Sequence, residues 1–496
     1  MGREEQIISE RLRKLKELKS LGINPYPNKY DSTHSTLELQ EKYEKLKPET
    51  HKKDNVKIAG RLMASRDIGK IIFGAIQDST GRIQIVLQEK ETPKKIHNFF
   101  KKYLDTGDIL GAEGTIFRTK RGELSVLVKN LQILSKATLP LPEKWHGLQD
   151  KEERYRKRYL DLIMSPEVRE VFDKREKIID SIRRLLKERE FHEVETPALQ
   201  SIYGGASAAP FKTHLNALDI DLFLSISPEL YLKRLIVGGY DKVFTICKNF
   251  RNEGIDRQHN PEFTMLEYYI AYQNYEYHID FTEKLFNYLR KELNLKEEIE
   301  YQGKKINLKT PFKRIKFRDF ILKETNIDIS KADNYERLKK EVLNRKIKEV
   351  DIKNCKHYSS LLDELYKKVA RPRIIQPTFL THYPVEMIAL AKRNEKNPRE
   401  INTVQLIIDG AEIIKAYDEL NDPIDQENRL KEQAALLNEG SVDAMPLDED
   451  FISALKYGMP PTAGYGIGLD RLTMLLTNSQ SIRDVILFPF MKPLKE

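Results

Sequence analysis

Short apolar–polar alternations over residues 56–135 restrict the fold more than any other feature of the chain. After the turn-forming residues 78–81, the alternation is carried by Ile83, Ile85 and Leu87. Residues 120–122 have the composition of a second hairpin tip. Several short strands separated by turn signals predict a small β-barrel.

A small barrel of the OB type binds single-stranded nucleic acid through stacking aromatic rings and a basic groove. Phe73 and Phe117 are the candidates for such rings. Either ring, taken singly, could equally belong to the core of the barrel, because phenylalanine is commonly buried. The pattern therefore predicts a nucleic-acid-binding barrel and leaves open which ring stacks on a base.

Helical patterns lie on both sides of the predicted strands. The N-terminal residues predict an amphipathic helix docked on its own domain, with an apolar face formed by Ile8, Leu12, Leu15, Leu18 and Leu21. Residues 165–167 predict the start of a long helix, with a capping hydroxyl, a proline in the first turn and an acid near the positive helix end. Residues from about 320 to 370 are charged and mostly helical in pattern, as expected of an insertion.

The composition excludes several classes of protein. Hydrophobic residues make up 40% of the chain and charged residues 32%, which fits folded domains and not a disordered chain. The two cysteines, Cys247 and Cys355, form no CxxC pair, so a disulfide framework and a cysteine zinc site are excluded and a reducing compartment is favoured. The N-terminus is too charged for a signal peptide and no long apolar run occurs, so we expect a cytoplasmic protein without a membrane partner.

Common catalytic motifs are missing from the sequence. It contains no GxxxxGK[ST] phosphate loop, no HExxH zinc motif and no GxSxG nucleophile elbow. Gly464, Gly466 and Gly468 lie too close to the C-terminus for a complete dinucleotide-binding unit. Any nucleotide chemistry must therefore use a different architecture.

Two segments are difficult to explain as scaffold. In the first, Arg251 and Glu253 alternate, so on a strand they would point to one face, and Glu267 and Tyr269 would repeat that geometry on a returning strand. In the second, alternating glycines allow a ligand or a neighbouring strand to approach the backbone. Arg471 would then lie at a strand–helix junction and face the same cavity. A surface hairpin with solvated charges is the alternative interpretation of the first segment.

Together the two segments resemble motifs 2 and 3 of the class II aminoacyl-tRNA synthetases, and residues 195–197 resemble motif 1, the dimer-forming element. The resemblance extends to the lysyl-tRNA synthetases. It is carried by residues 204–206, 228–234, 251–254, 376–379, 419–422 and 482–489 and, within the predicted barrel, by residues 60–61 and 107–111.

The resemblance implies an α+β protein with an N-terminal OB-fold β-barrel that reads the anticodon and a C-terminal antiparallel sheet flanked by helices. On this basis we predict a helical extension (1–50), an OB-fold anticodon-binding domain (51–140), a linker (141–165) and a class II catalytic domain (166–496). It further implies a homodimer that uses ATP, L-lysine, tRNA(Lys) and Mg²⁺, and a two-step reaction through lysyl-adenylate.

The resemblance also implies an ATP site. Arg251 would neutralise the α-phosphate and the lysine carboxylate, while Phe263 and Arg471 would enclose the adenine. Arg251 and Arg471 are therefore the implied catalytic residues. The implied ATP-binding set is Arg251, Glu253, His259, Asn260, Phe263, Glu412 and Arg471.

A lysine pocket is implied in the same way. It needs carboxylate and hydroxyl acceptors for two ammonium groups, which also penalise neutral analogues. The implied set is Gly205, Glu229, Arg251, Glu267, Tyr269, Lys415, Tyr417 and Glu419. The implied magnesium ligands are Glu412, Glu419 and Gln405, and the implied anticodon contacts are Phe73, Gln84 and Glu123.

Four residues near this pocket depart from the family pattern. Ala209 stands where arginine is usual, Gln405 where a metal-binding glutamate is usual, Lys415 where asparagine is usual and Ile388 where serine is usual. Two alternatives to a lysine–tRNA ligase therefore stay open. One is an enzyme of the same fold with weakened or altered amino-acid activity, and the other is a non-catalytic regulator that binds tRNA or lysine.

Overall fold

The computed structural model describes residues 2–142, 150–439 and 444–494 and divides into two compact units, Met1–Gln149 and Asp150–Glu496. Residues 143–149 of the predicted linker lie outside the described residues. Each unit is organised around its own sheet.

The first unit is built on five strands that form a closed barrel. The strands are β1 (His51–Asp67), β2 (Ile71–Gln77), β3 (Arg82–Gln88), β4 (Ile109–Arg118) and β5 (Leu124–Ser135), paired in the order β1-β2-β3-β5-β4. Three helices accompany them: α1 (Arg3–Ser20), α2 (Thr36–Lys42) and α3 (Lys94–Tyr103).

Both predicted hairpin turns are confirmed. Residues 78–81 connect β2 to β3, and the Asp78 Oδ1 atom accepts bonds from the backbone N–H groups of Thr80 (2.7 Å) and Gly81 (2.9 Å). Residues 120–122 connect β4 to β5, and Gly122 has φ of 88°, a conformation that glycine adopts without steric cost.

A buried ammonium group ties the end of β5 to the loop before β4. The Lys136 Nζ atom lies 2.5 Å from Asp105 Oδ2 and 2.8 Å from Asp108 Oδ2, and neither Lys136 nor Asp108 exposes its side chain. Nearby, the Arg11 guanidinium of α1 donates to the carbonyl oxygens of Thr106 and Leu139. The Arg11 contacts dock the predicted N-terminal helix.

The apolar face predicted for α1 is only partly buried. Leu18 is fully buried, whereas Leu12 and Leu21 remain exposed. Polar contacts through Arg11 therefore contribute to the docking of this helix alongside its apolar residues.

The second unit is built on an eight-stranded sheet. In spatial order its strands are β14 (Lys313–Lys316), β15 (Thr378–Thr381), β16 (Thr403–Ile408), β17 (Ala411–Asp418), β18 (Thr462–Gly468), β11 (Glu262–Ala271), β10 (Lys242–Phe250) and β6 (His192–Glu193). All neighbours pair antiparallel except the edge pairs β14–β15 and β6–β10, which are parallel. The sheet is therefore mixed only at its edges.

Smaller strands lie outside this sheet. They are β7 (Leu199–Gln200), β8 (Lys212–Leu215) and β9 (Ile220–Leu224) in one group, and β12 (Glu298–Tyr301) and β13 (Lys304–Asn307) in another. Residues 195–197, the motif 1 candidate, lie between β6 and β7.

Helices cover both faces of the large sheet. One face packs on α6 (Pro166–Lys187), α8 (Tyr275–Glu292) and α14 (Leu469–Thr477). The other packs on α7 (Glu229–Val237), α9 (Phe317–Thr325), α10 (Tyr335–Asn344), α11 (Tyr358–Leu365), α12 (Pro423–Asn438) and α13 (Glu449–Lys456). The remaining helices are α4 (Lys151–Arg156) and α5 (Arg158–Met164).

The predicted start of α6 is right, but its predicted cap is wrong. The helix begins at Pro166, whose missing N–H is not needed in the first turn. The Ser165 hydroxyl accepts no capping bond from the residues that the structure describes. Proline in the first turn, and not the hydroxyl, is the local signal that fits the observed boundary.

None of the helices among the described residues has the length and apolarity that a membrane crossing requires.

We predict that Lys136→Met lowers the free energy of unfolding of the barrel by about 3 kcal/mol or more, because the Asp108 carboxylate stays buried without its cation. Urea denaturation of the full chain measures the loss. Lys129→Met is the matched control, since Lys129 forms an exposed ion pair with Glu91 at 2.9 Å, and it should cost about 1 kcal/mol or less. Equal losses in the two variants would contradict the prediction.

Candidate functional site

The register of the large sheet brings distant residues into two rows. One row across β16, β17, β18, β11 and β10 consists of Gln405, Lys415, Gly466, Glu267 and Thr245. The next row consists of Thr403, Tyr417, Gly464, Tyr269 and Val243. Directly paired residues share a face of a sheet, so both rows face the same side. The prediction that Glu267 and Tyr269 share the face of a strand is confirmed.

The glycines of β18 form an open floor between these rows. A Cβ atom at Gly464 would overlap Glu419 Oε1 and the Tyr269 ring. At Gly466 the nearest atom would lie 3.5 Å away, and at Gly468 no described atom would lie within 4 Å. Side chains converge at the Gly464 end, and space remains above the other two glycines.

The strand placement predicted for Arg251 and Glu253 is wrong. Strand β10 ends at Phe250, and both residues lie in the loop that leads to β11. The Arg251 N–H donates to the Pro261 carbonyl at 2.9 Å, which closes the loop. The alternation seen in the sequence therefore belongs to loop residues, and Glu253 is exposed.

Arg251 nevertheless reaches the site face. Its guanidinium lies 5.0 Å from the centre of the Phe263 ring and donates to the Ile226 carbonyl at 3.3 Å. Burial lowers the pKa of Arg251, and the carboxylates of Glu253 and Glu267 oppose that effect. A cation held in this way is available to bind an anion.

A second arginine lies beyond Gly468, at the end of the open floor away from Gly464. Arg471, in the first turn of α14, donates from Nη1 to the Glu412 carbonyl at 3.1 Å and places Nη2 2.9 Å from His259 Nε2. Arginine can only donate, so His259 Nε2 accepts and the ring proton lies on Nδ1, which faces the Asp256 carboxylate at 2.8 Å. Burial lowers the pKa of Arg471.

The remaining ATP-site candidates lie around these two arginines. Asn260 is buried and donates from Nδ2 to the Glu262 carbonyl at 2.6 Å, while its Oδ1 atom has no partner in the described part of the chain. Glu412 is half-buried on β17, and its carboxylate bonds to none of the described residues.

Three carboxylates are buried beside the Gly464 end of the floor: Glu229, Glu267 and Glu419. Glu267 accepts from the Ser227 hydroxyl at 2.9 Å and from the Tyr269 hydroxyl at 3.4 Å. Burial, followed by the charge of Glu229, raises the pKa of Glu267 to about 8. Burying three acids together raises the free energy of the folded protein unless cations bind between them.

Lys233 belongs to this cluster but is not among the residues predicted from the sequence. Its fully buried Nζ atom lies 2.6 Å from Glu229 Oε1 and forms an ion pair with Glu419 Oε2. The available signal is its place one helical turn after Glu229 within residues 228–234, which carry the family resemblance. Ser227 was missed as well, although it precedes that stretch directly.

Gly205 and Tyr417 complete the lysine-site candidates. The Tyr417 hydroxyl donates to Glu229 Oε2 at 2.7 Å. Gly205 has φ of 84°, and a Cβ atom there would lie 2.9 Å from both the Glu229 Cβ atom and the Ser227 hydroxyl. Glycine is therefore required both by the backbone and by the close approach of Glu229.

The four unusual residues have different surroundings. Gln405 Oε1 accepts from the hydroxyls of Tyr383 (2.7 Å) and Tyr366 (3.4 Å). Lys415, half-buried opposite Gln405, has no hydrogen-bond or ion-pair partner among the described side chains. Ile388 packs in the apolar core against α7 and α9–α11, and the Ala209 carbonyl accepts from the Asn252 N–H at 2.8 Å.

The barrel carries a separate cavity of about 320 Å³. Phe73, Gln84 and Glu123 all line it, together with Arg66 and Arg82. The three predicted anticodon residues are thus brought together on one surface. Phe117 does not line this cavity, and its ring stacks on His51 with the centroids 5.0 Å apart.

A family model described as "tRNA synthetases class II (D, K and N)" matches residues 150–492, and one described as "OB-fold nucleic acid binding domain" matches residues 56–134. The chain belongs to the class II tRNA synthetases. Its OB-fold and class II parts, predicted from the sequence, are therefore confirmed.

Curated relatives place the chain among the lysine–tRNA ligases of that class. The protein of this name from Carboxydothermus hydrogenoformans is 46% identical over 490 residues, which cover 98% of each chain. Those from Thermosipho africanus and Fervidobacterium nodosum are 45% and 47% identical, over 98% and 97% of this chain and 96% and 93% of their own. The predicted family is confirmed.

The synthetase site has few side chains that could bind a metal ion without further ligands from a substrate. Over the described residues, no group of three histidine, cysteine, aspartate or glutamate side chains is arranged to hold one. Glu419 is engaged by Lys233 and Gln405 by two tyrosines, whereas the Glu412 carboxylate is not engaged. Magnesium commonly takes one or two carboxylates and completes its shell with phosphate and water, so this donor set fits Mg²⁺ bound together with a nucleotide.

We predict that the Glu267 carboxyl group of this synthetase is protonated at pH 7 in the ligand-free protein and ionises around pH 8, because burial and Glu229 disfavour its charge. Difference infrared spectroscopy between pH 6.5 and 9 should show loss of a protonated-carboxyl C=O band. Glu267→Gln should remove that band from the spectrum. An identical band in the wild type and the variant would contradict the assignment.

Proposed function

We propose that this chain attaches lysine to tRNA(Lys) in two steps. The lysine carboxylate attacks the α-phosphorus of ATP, which releases pyrophosphate and forms lysyl-adenylate. A ribose hydroxyl of the terminal adenosine, the 3′ hydroxyl by analogy with the family, then takes the lysyl group. The observation that carries the proposal is the buried cluster of Glu229, Glu267 and Glu419 beside Arg251, on a chain about 46% identical to lysine–tRNA ligases.

The acid cluster supports a substrate with two ammonium groups. In our proposal the α-ammonium binds Glu229 and the backbone of Gly205, whereas the ε-ammonium binds Glu419, Glu267 and the Tyr269 hydroxyl. Buried acids favour cations strongly, and an uncharged side chain in their place would leave them without a partner. The pocket therefore favours lysine over isosteric neutral amino acids.

Arg251 lies where it can serve both reacting anions. We assign it to the lysine carboxylate and the α-phosphate, whose mutual repulsion it would reduce. Lys415 supplies a second positive charge on this face. It is paired with Gln405 across β16 and β17, and its ammonium group has no partner among the described residues. Catalysis then consists of positioning and charge stabilisation, without a covalent enzyme intermediate.

The nucleotide occupies the open floor of β18 in this proposal. Phe263 stacks below the adenine, Arg471 covers its other face and Glu253 accepts from the adenine amino group. His259 and Asn260 serve the distal phosphates. The space above Gly466 and Gly468 supports this placement.

We assign Mg²⁺ to Glu412, with Glu419 and Gln405 as further candidate ligands. When bound, the ion would bridge phosphate oxygens and offset their charge. Since Gln405 Oε1 already accepts from Tyr383, its part is expected to be smaller than that of Glu412.

The remaining parts of the proposal concern partners and location. We propose a homodimer, with residues 195–197 near its interface, and anticodon binding at Phe73, Gln84 and Glu123. We further propose residues 51–140 as the anticodon-binding domain and residues 166–496 as the catalytic domain. Both cysteines are free thiols, which supports a reducing cytoplasm.

Arg251→Ala should reduce lysine-dependent ATP–pyrophosphate exchange by about a hundredfold or more, because it removes the cation that faces both anions. Arg257→Ala, at an exposed position of the same loop, is the matched control and should retain exchange. Near-normal exchange in Arg251→Ala would contradict its assignment. A wild-type protein without lysine-dependent exchange would instead favour the altered-activity or regulator alternatives.

Phe73→Ala should weaken tRNA charging while leaving pyrophosphate exchange unchanged, because losing one stacked base costs about 1–3 kcal/mol of nucleic-acid binding. The measurement compares the tRNA KM with the exchange rate. Phe117→Ala is the control, since that ring stacks on His51 outside the cavity. Equal losses of charging and exchange in Phe73→Ala would show that its role is structural.

A further inference from the structure

Lys233 occupies the back of the acid cluster. It lies on α7 one turn after Glu229, its side chain is fully buried, and its Nζ atom is 2.6 Å from Glu229 Oε1. The same atom forms an ion pair with Glu419 Oε2, which comes from the end of β17. One ammonium group thus connects two acids from separate elements of the fold.

The two acids direct their other oxygens elsewhere. Glu229 Oε2 accepts from the Tyr417 hydroxyl at 2.7 Å. Glu419 Oε1 is buried and finds no partner within the described residues. It lies over Gly464 and beside the Tyr269 ring, at the end of the open floor. Lys233 therefore engages one oxygen of each acid. The other oxygen of Glu419, Oε1, remains an acceptor without a partner among the described residues, at the end of the open floor.

Aromatic rings fix the ammonium in this position. The Lys233 Nζ atom lies 5.9 Å from the centre of the Tyr417 ring and 5.7 Å from that of Phe451 on α13. Ring faces attract cations, and the burial prevents exchange with water. The ammonium is therefore part of the rigid wall of the pocket.

We propose that Lys233 is a positioning residue for the amino-acid substrate. Its ammonium group holds the rear oxygens of Glu229 and Glu419, so that Glu419 Oε1 faces the side-chain ammonium of the ligand. It also offsets one of the negative charges that would otherwise repel each other in the pocket. This inference rests on the proposed function, because it requires lysine as the ligand.

Two other roles for Lys233 would give different results when its ammonium is removed. If the Lys233 ammonium merely competed with the ligand for the acids, its removal would free them and strengthen lysine binding. If it were only structural, its removal would impair lysine and ATP binding alike. A positioning role predicts a selective loss for lysine.

The test compares Lys233→Met with Lys431→Met in the full-length protein. Lys431 forms the same type of ion pair, one helical turn after Glu427 and at 2.7 Å, but on an exposed surface. Pyrophosphate exchange gives the KM for lysine, the KM for ATP and kcat, and calorimetry gives lysine binding directly.

In Lys233→Met we expect the lysine KM to rise about tenfold or more, with the ATP KM and kcat changed less than about threefold. The control should match the wild type in all three. A lysine KM that is unchanged or lower, or an equal rise in both KM values, overturns the proposal.

Two further measurements keep the test decisive. If the methionine variant does not fold, Lys233→Arg carries the test, because a planar guanidinium retains the charge but cannot place a single ammonium between the two acids. It should also raise the lysine KM selectively, and an unchanged value overturns the proposal. Absence of lysine-dependent exchange in the wild type would count against the proposed function, whereas calorimetric lysine binding compared between wild type and variant still decides the role of Lys233.

Discussion

The antiparallel register of β11, β18 and β17 is the constraint on which the second unit depends. It sets Glu267 and Lys415 on either side of Gly466, and Tyr269 and Tyr417 on either side of Gly464. A slip of one residue would turn each of these side chains into the apolar core on the opposite face. The glycines matter for the same reason, since a side chain between the two flanking strands would fill the ligand space.

Burial of acids is the second condition, and it follows from the first. The sheet and α7 bring three carboxylates into one apolar pocket, where each would be costly alone. The structure meets this cost in three ways: Lys233 pairs with two of the acids, tyrosine and serine hydroxyls donate to Glu229 and Glu267, and a raised pKa leaves Glu267 uncharged near neutral pH. A pocket with this balance is suited to a ligand that brings its own cations.

The two arginines place positive charge toward the Gly468 end of the site, away from the acids beside Gly464. Arg251 is held against Phe263, and Arg471 is linked through His259 to Asp256. Both lie toward the Gly468 end of the floor, because Met265 pairs with Gly468 and Phe263 lies two residues further along β11. Each has lost water and retains free hydrogen-bonding capacity, which favours binding of phosphate and carboxylate oxygens. Positive charge at the nucleotide and negative charge at the amino acid thus occupy separate parts of one face.

Local patterns in the sequence determined several features of the structure. Spacing and turn chemistry predict the turns at residues 78–81 and 120–122, the helix that begins at Pro166 and the shared face of Glu267 and Tyr269. They can do so because these features depend on interactions between near neighbours in the chain.

Long-range geometry decided the rest. Arg251 and Glu253 lie in a loop because the last pair between β10 and β11 joins Phe250 to Glu262. The alternation of residue types in the sequence does not reveal where this pairing stops. Lys233 was missed because its partner Glu419 is distant in sequence, and only the packing of α7 against the end of β17 brings the two charges together.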